Sequence, residues 1–303
     1  MRIVFMGTPD FAVASLDRLV KANKNIVGVI TATDKYGGRG GKKLIQSAVK
    51  KYAVEQGLKV FQPKNLKAPE FIKELQSLQA DIQIVVAFRM LPEIVWNMPP
   101  KGTFNLHGSL LPQYRGAAPI NWAVINGEQV TGVTTFFLQH AIDTGEIIDQ
   151  KRLPIGPDDT AGIVHDNMME IGAELVLETI NNIEKGIISS IPQDENLVSE
   201  APKIFKETCE INWDQSIDEV YNFVRGLSPF PTAWTTLDGK MLKVYSCSKV
   251  KHLRSDNTPF FESDGKSYLR IWATDGYLDV TDLQIQGKKR MAVQDFLNGY
   301  QIK

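Results

Sequence analysis

Asn105 and His107 stand two residues apart in the short run Thr103-Phe104-Asn105-Leu106-His107. In an extended strand, residues i and i+2 share a face, so the amide and the imidazole point together while Phe104 and Leu106 point into packing. Two polar groups on one side of an apolar strand cost free energy unless they find partners. An imidazole is the side chain that changes charge closest to neutral pH, and an amide N–H can donate to a developing oxyanion. The pair therefore reads as a general acid or base beside an oxyanion donor. The plainer alternative is a buried His and Asn satisfied by backbone.

Two further segments bear on that choice. Ser109-Leu110-Leu111-Pro112-Gln113-Tyr114-Arg115-Gly116-Ala117-Ala118-Pro119 is irregular and begins just past the strand end, where a parallel sheet opens its ligand crevice. Its apolar side chains could pack on a flat ring while its backbone groups bind the ring's edge. Asp143 lies in the turn His140-Ala141-Ile142-Asp143-Thr144-Gly145 between two strand-like runs. A carboxylate there could orient His107; it could equally be a turn Asp that bonds its own backbone.

These residues need a scaffold, and the first half of the chain supplies a pattern for one. Ile3-Val4-Phe5-Met6, Asn25 to Ile30, Val60-Phe61 and Asp81 to Ala87 are short, largely apolar runs suited to covered parallel strands. Amphipathic segments Phe11–Val20, Leu44–Gln56 and Pro69–Leu78 separate them. Alternation at this pitch predicts an α/β fold with a doubly wound, mostly parallel sheet. After a Ser- and Pro-containing stretch, a helix near Ser216–Val224 precedes strand-like runs at 233–237, 241–248, 267–273 and 277–283. Asp238-Gly239 is a hairpin signal, and short strands with Gly turns predict a small β-barrel. The expected domains are 1–188 and 207–303, with 189–206 a surface linker.

Composition narrows the function classes. The 303 residues carry 34 Lys plus Arg against 35 Asp plus Glu, a formal net charge of -1, so bulk charge does not hold this chain to nucleic acid. Two cysteines, Cys209 and Cys247, make no disulfide framework, and no Cys/His cluster suggests a metal site. No leader-like segment and no membrane-length apolar run is visible, which predicts a cytoplasmic protein without a membrane partner. A monomer is the default expectation. Tyr36-Gly37-Gly38-Arg39-Gly40-Gly41-Lys42-Lys43 is neither a Walker loop nor a dinucleotide fingerprint. With Lys35, it is a locally basic loop able to grip phosphates.

Taken together, these motifs resemble the methionyl-tRNA formyltransferases, within the wider family of folate-dependent formyltransferases. The resemblance is carried by Asn105-Leu106-His107, by Ser109 to Pro119 and by Asp143-Thr144-Gly145. It extends to the opening Phe5-Met6-Gly7-Thr8-Pro9-Asp10 and to Gly226-Leu227-Ser228-Pro229-Phe230-Pro231. It implies a Rossmann-like first domain and an OB-like second domain that helps hold tRNA. It implies Asn105, His107 and Asp143 as catalytic, and Ser109, Leu110, Leu111 and Pro112, with Phe88, Arg89, Met90 and Leu91, as the folate site. It also implies 10-formyltetrahydrofolate as co-substrate, no metal, and methionyl-initiator-tRNA as the partner met by Lys35, Arg39, Lys42 and Lys43. The segment Ala87–Pro92 is one residue shorter than the family's usual run. Sibling enzymes that formylate amino sugars or glycinamide ribonucleotide share the trio, and a non-catalytic RNA-binding protein could share the architecture. The basic loop and the second domain favour tRNA.

Overall fold

Ile3, Val4, Phe5 and Met6 are fully buried, as the apolar run requires of a strand covered on both faces. They form β1 (Arg2–Gly7). The computed structural model describes residues 1–37, 41–255 and 258–302. The following elements, in chain order, are α1 (Asp10–Lys21), β2 (Asn25–Ile30), β3 (Lys35–Gly37), β4 (Lys43–Ile45), α2 (Ala48–Glu55), β5 (Val60–Phe61), α3 (Pro69–Ser77), β6 (Ile82–Val86), α4 (Glu93–Trp96), β7 (Thr103–His107) and β8 (Arg115–Gly116). Then come α5 (Pro119–Ile125), β9 (Val130–Phe137), β10 (Ile147–Pro154), α6 (Ala161–Lys185) and β11 (Glu200–Ala201).

The chain divides into two units. The first comprises Met1–Gly116, Gly132–Leu153 and His165–Glu200. Its sheet runs β10-β9-β7-β6-β1-β2-β5. Pairing is parallel from β5 through β2, β1 and β6 to β7. The sense reverses at β9, which pairs antiparallel with β7. The expected doubly wound, mostly parallel sheet is present, and β7 stands where its direction switches.

β7 is pinned from its apolar side. Phe104 is fully buried and Leu106 is 4% exposed. A Cβ on Gly172 of α6 would fall 2.9 Å from Leu106 Cδ2, so a larger residue there would have to push the end of the Leu106 side chain aside. Deleting a buried aromatic such as Phe104 costs about 3–5 kcal/mol, which gives the scale of the force fixing the strand. Helix α6 carries Met168, Leu175, Val176 and Ile180 inward; its 25 residues follow a helical spacing that the sequence reading passed over.

The expected helix 44–56 is shorter than its pattern. Lys43–Ile45 instead pairs antiparallel with Lys35–Gly37, and the helix starts at Ala48, where Ser47 Oγ accepts from Lys50 N at 3.0 Å. Ser47 is a strong N-cap, and that local bond sets the start against the apolar spacing of Leu44 and Ile45. Asp34 secures the base of the hairpin by accepting from Lys50 Nζ at 2.5 Å and Gln62 Nε2 at 2.7 Å.

The second unit comprises Ala117–Thr131, Pro154–Val164 and Ala201–Lys303. It therefore draws in two segments from the first half that the sequence pattern did not set apart. Its later elements are α7 (Ile217–Gly226), β12 (Ala233–Leu237), β13 (Lys240–Lys251), β14 (Phe261–Ser263), β15 (Leu269–Trp272), β16 (Gly276–Ile285), β17 (Met291–Ala292) and α8 (Val293–Gly299). The antiparallel sheet β12-β13-β16-β15-β14 is a half barrel whose apolar face packs on Val220, Tyr221 and Val224 of α7. Asp238 and Gly239 both have positive φ, at 48° and 72°, and turn β12 into β13 as the Asp-Gly signal predicts. α7 opens with a full capping box between Ser216 and Glu219. Arg225, 6% exposed, donates to Asp159 O at 2.8 Å, and Tyr221 Oη donates to Asp158 at 2.8 Å; these bonds tie 154–164 to α7. Cys209 and Cys247 are free. Among the described residues, no helix is long and apolar enough to cross a membrane.

Candidate active site

Asn105 is half-buried and His107 is 6% exposed at the carboxyl end of β7. Their shared face follows from the pleat, with Phe104 and Leu106 packed on the other side. The ring of His107 has a defined neighbour at each nitrogen. Its Nε2 donates to the carbonyl of Tyr114 at 2.9 Å, and its Nδ1 lies 3.8 Å from Asp143 Oδ2. Phe136 meets the ring edge-on, with centroids 6.4 Å apart. Both polar neighbours come from irregular segments: Tyr114 from the loop after β7, Asp143 from the turn between β9 and β10. The 3.8 Å separation exceeds hydrogen-bond length, so the two groups stand at ion-pair distance with no hydrogen bond between them.

Tyr114 and Asp143 share an unusual backbone. Their φ angles are 60° and 55°, in the left-handed region where a non-glycine residue costs roughly 1–2 kcal/mol. Such conformations persist when surrounding bonds over-determine them. Here Tyr114 N donates to Ser199 Oγ at 2.9 Å, and Asp143 Oδ2 accepts from Gly116 N at 2.9 Å. Gly145 closes the turn: a Cβ there would lie 1.6 Å from Phe137 O, so no other residue fits.

The loop expected to meet folate is built from the inside. Ser109 is fully buried and its hydroxyl donates to Gln113 O at 2.6 Å, so this side chain shapes the loop. Leu111 is 3% exposed against Phe136 and Ile147, whereas Leu110 and Pro112 are half-buried. Thr134 on β9 is the hub: its Oγ1 donates to Ser109 O at 2.7 Å and accepts from Leu111 N at 3.1 Å and Gln150 Nε2 at 2.9 Å. Gln150 also donates to Leu111 O at 2.9 Å.

Residues 88–91 leave the end of β6, the strand beside β7. Leu91 is buried, Phe88 half-buried and Met90 73% exposed. Arg89 turns away to donate to Pro63 O at 2.5 Å and Lys64 O at 3.0 Å. Among the described residues, the backbone N–H groups of Phe88, Arg89 and Met90 donate to no other backbone group. A flat ring with polar edges fits such a rim of free donors beside apolar side chains. Lys35, Lys42 and Lys43 are exposed on the β3–β4 hairpin, which follows β2, with β1 and β6 between it and β7. Arg39 lies outside the described residues.

The structure thus brings His107 and Asp143 together, sets Asn105 on the same strand face, and places 88–91 and 109–112 at adjacent strand ends. Sequence reasoning missed Tyr114, Thr134, Gln150, Gln193 and Ser199, whose roles come from contacts distant in sequence. The one local hint was the loop's Tyr-Arg-Gly, which names the segment without saying what its backbone holds.

Comparison with known proteins gives a consistent pattern. A formyl transferase family model matches residues 1–180, and the model for the formyl transferase C-terminal domain matches residues 203–301. A methionyl-tRNA formyltransferase from Parabacteroides distasonis is 56% identical, with 99% of this chain and 96% of that protein covered. One from Phocaeicola vulgatus is 57% identical over the same shares, 99% and 96%. Among solved structures, an N-formyltransferase from Helicobacter canadensis, in complex with folinic acid and dTDP-3-aminofucose, superposes with a TM-score of 0.68 at 22% identity, covering 92% of this chain and 97% of that one. At that identity the likeness is one of fold.

Proposed function

The chain belongs to the methionyl-tRNA formyltransferase family, and on that premise we propose that it moves a formyl group from 10-formyltetrahydrofolate to the free α-amino group of methionine esterified to initiator tRNA. The observation that carries this reading is the meeting of His107 and Asp143 at 3.8 Å beside Asn105, at the point where the sheet changes direction.

The donor supplies an electrophilic formyl carbon. The amine nitrogen forms a bond to that carbon, and the bond from the carbon to the folate nitrogen breaks. Negative charge gathers on the formyl oxygen in between, where the Asn105 amide can donate. One proton leaves the amine and one joins the departing nitrogen, so a single group that takes and returns a proton balances the reaction. His107 fits this role through Nδ1, because Nε2–H is committed to Tyr114 O. The Asp143 carboxylate offsets the positive charge on the ring while the proton is in transit.

Residues 88–91 and 109–112 would hold the pterin through free backbone donors and apolar contact, and Leu110 and Pro112 are the loop side chains with surface to offer. Lys35, Arg39, Lys42 and Lys43 would meet the tRNA backbone. The test is a transfer assay with 10-formyltetrahydrofolate and charged initiator tRNA, run against free methionine and a nucleotide-linked amino sugar. Formylation of the charged tRNA, with Arg39→Ala raising its KM, is expected. Transfer to the sugar amine and none to charged tRNA would overturn the choice of acceptor.

A further inference from the structure

We propose that the segment Ser190–Ser199 is a positioning strap for the His107 imidazole, with Gln193 as its central residue; the inference rests on the catalytic reading of His107 given above. The residues on either side of the imidazole, Tyr114 and Asp143, both hold left-handed backbone, and the strap bonds to each of them.

Gln193 Nε2 donates to Asp143 O and to Gly145 O, both at 2.8 Å. Its Oε1 accepts from Arg115 Nε at 3.0 Å and Nη2 at 2.8 Å. Both donors and both lone pairs of the amide are thereby engaged, and one side chain joins the Asp143 turn to the loop that supplies Tyr114. Ser199 completes the other side. Its Oγ accepts from Tyr114 N at 2.9 Å, and its carbonyl accepts from Arg115 N at 2.9 Å. The near end of the strap is secured by reciprocal backbone bonds between Ile191 and Ile147, at 2.8 and 2.9 Å, and by Ser190 Oγ donating to Glu146.

A segment that only linked two units would have no reason to saturate one amide against a strained turn and an adjacent loop. The strap fixes where the Tyr114 carbonyl and the Asp143 carboxylate stand relative to the ring. Displacing a reacting group by about 1 Å can cost on the order of 10²-fold in rate.

The test compares Gln193→Glu, Gln193→Leu, Ser199→Ala and, as a control in the same segment, Leu197→Ala, whose side chain is 56% exposed. Gln193→Glu keeps an acceptor for Arg115 but sets a carboxylate oxygen against two carbonyls. Two readouts are taken on folded protein: steady-state formyl transfer between about pH 5.5 and 9, and ¹⁵N resonances of the His107 ring. The Gln193 variants are expected to lose about 10–100-fold in kcat with both KM values within about threefold, to shift the pH profile, and to move the ring resonances. Leu197→Ala should stay within about twofold in kcat. Folded Gln193 variants with wild-type kcat and unmoved ring resonances would overturn the strap. Should Gln193→Leu not fold, Gln193→Glu and Ser199→Ala decide by the same readouts. A wild-type protein without formyl transfer would remove the functional reading, and the ring resonances would still decide whether the strap positions the imidazole.

Discussion

Nε2–H of His107 donates to the Tyr114 carbonyl at 2.9 Å, which leaves Nδ1, on the Asp143 side, as the nitrogen free to exchange a proton. The amide nitrogen of glutamine can occupy the place of Nε2 but cannot shuttle protons. His107→Gln should therefore fold with a stability within about 1 kcal/mol of wild type and lose about 10²–10⁴-fold in kcat. Denaturant titration and single-turnover assays check the two halves separately, and a strongly destabilised His107→Gln would show that more than the Tyr114 bond holds the ring.

In the proposed mechanism Asn105 acts only once charge reaches the formyl oxygen. Asn105→Ala should reduce kcat by about 10²–10³-fold with little change in KM for either substrate. A large rise in KM with unchanged kcat would instead make it a binding residue.

Thr134 is fully buried and serves three partners. Thr134→Val keeps the shape and leaves Leu111 N, Ser109 O and Gln150 short of a partner. The expected cost is about 1–3 kcal/mol in unfolding free energy, together with a raised KM for the formyl donor as the 109–112 loop relaxes.

The loop and the turn were partly legible in the sequence, and the reason is physical. Period-two alternation in 103–107 states which side chains share a face, and the Asp-Gly at 238–239 states its own turn, because both are local properties of the backbone. The apolar runs likewise announced their strands. What was not legible depends on partners far along the chain. Gln193 bonds across 50 residues to Asp143 O and across 78 residues to Arg115, and nothing in the polar stretch around it marks it out. Leu44 and Ile45 misled for the converse reason: their spacing suits a helix, but they lie before the Ser47 cap, in a hairpin where both are exposed.

Exposed Lys42 and Lys43 predict a salt-dependent acceptor affinity. Lys42→Ala and Lys43→Ala should each raise KM for charged tRNA and lower the slope of log affinity against log salt by about 0.7–0.9 for each phosphate no longer neutralised. A small amine acceptor should be insensitive to both changes, and kcat at saturation should hold.

Asp34 gives a pH prediction. Its bonds from Lys50 first, then Gln62, hold its carboxyl below the usual carboxylate range. A depressed folded-state pKa contributes stability that is present above the unfolded value of about 3.9 and is lost as pH falls below it through the folded value. Asp34→Asn should thus lower Tm at pH 7, and its gap from wild type should narrow progressively below about pH 3.9. A gap independent of pH would place the effect in packing.

The second unit takes up residues 117–131 and 154–164 before its main stretch begins at residue 201. During biosynthesis those two excursions emerge well ahead of α7, to which they are tied through Asn121 Nδ2 donating to Gly226 O at 2.8 Å and Arg225 Nη1 donating to Asp159 O at 2.8 Å. The nascent chain must therefore carry Ile125, which packs against the core of the second unit in the finished fold, without that cover until about a hundred more residues have left the ribosome. A stop codon near residue 200 would leave Ile125 without that core for good, and the truncated product should be a target for chaperones and proteases instead of a half-enzyme.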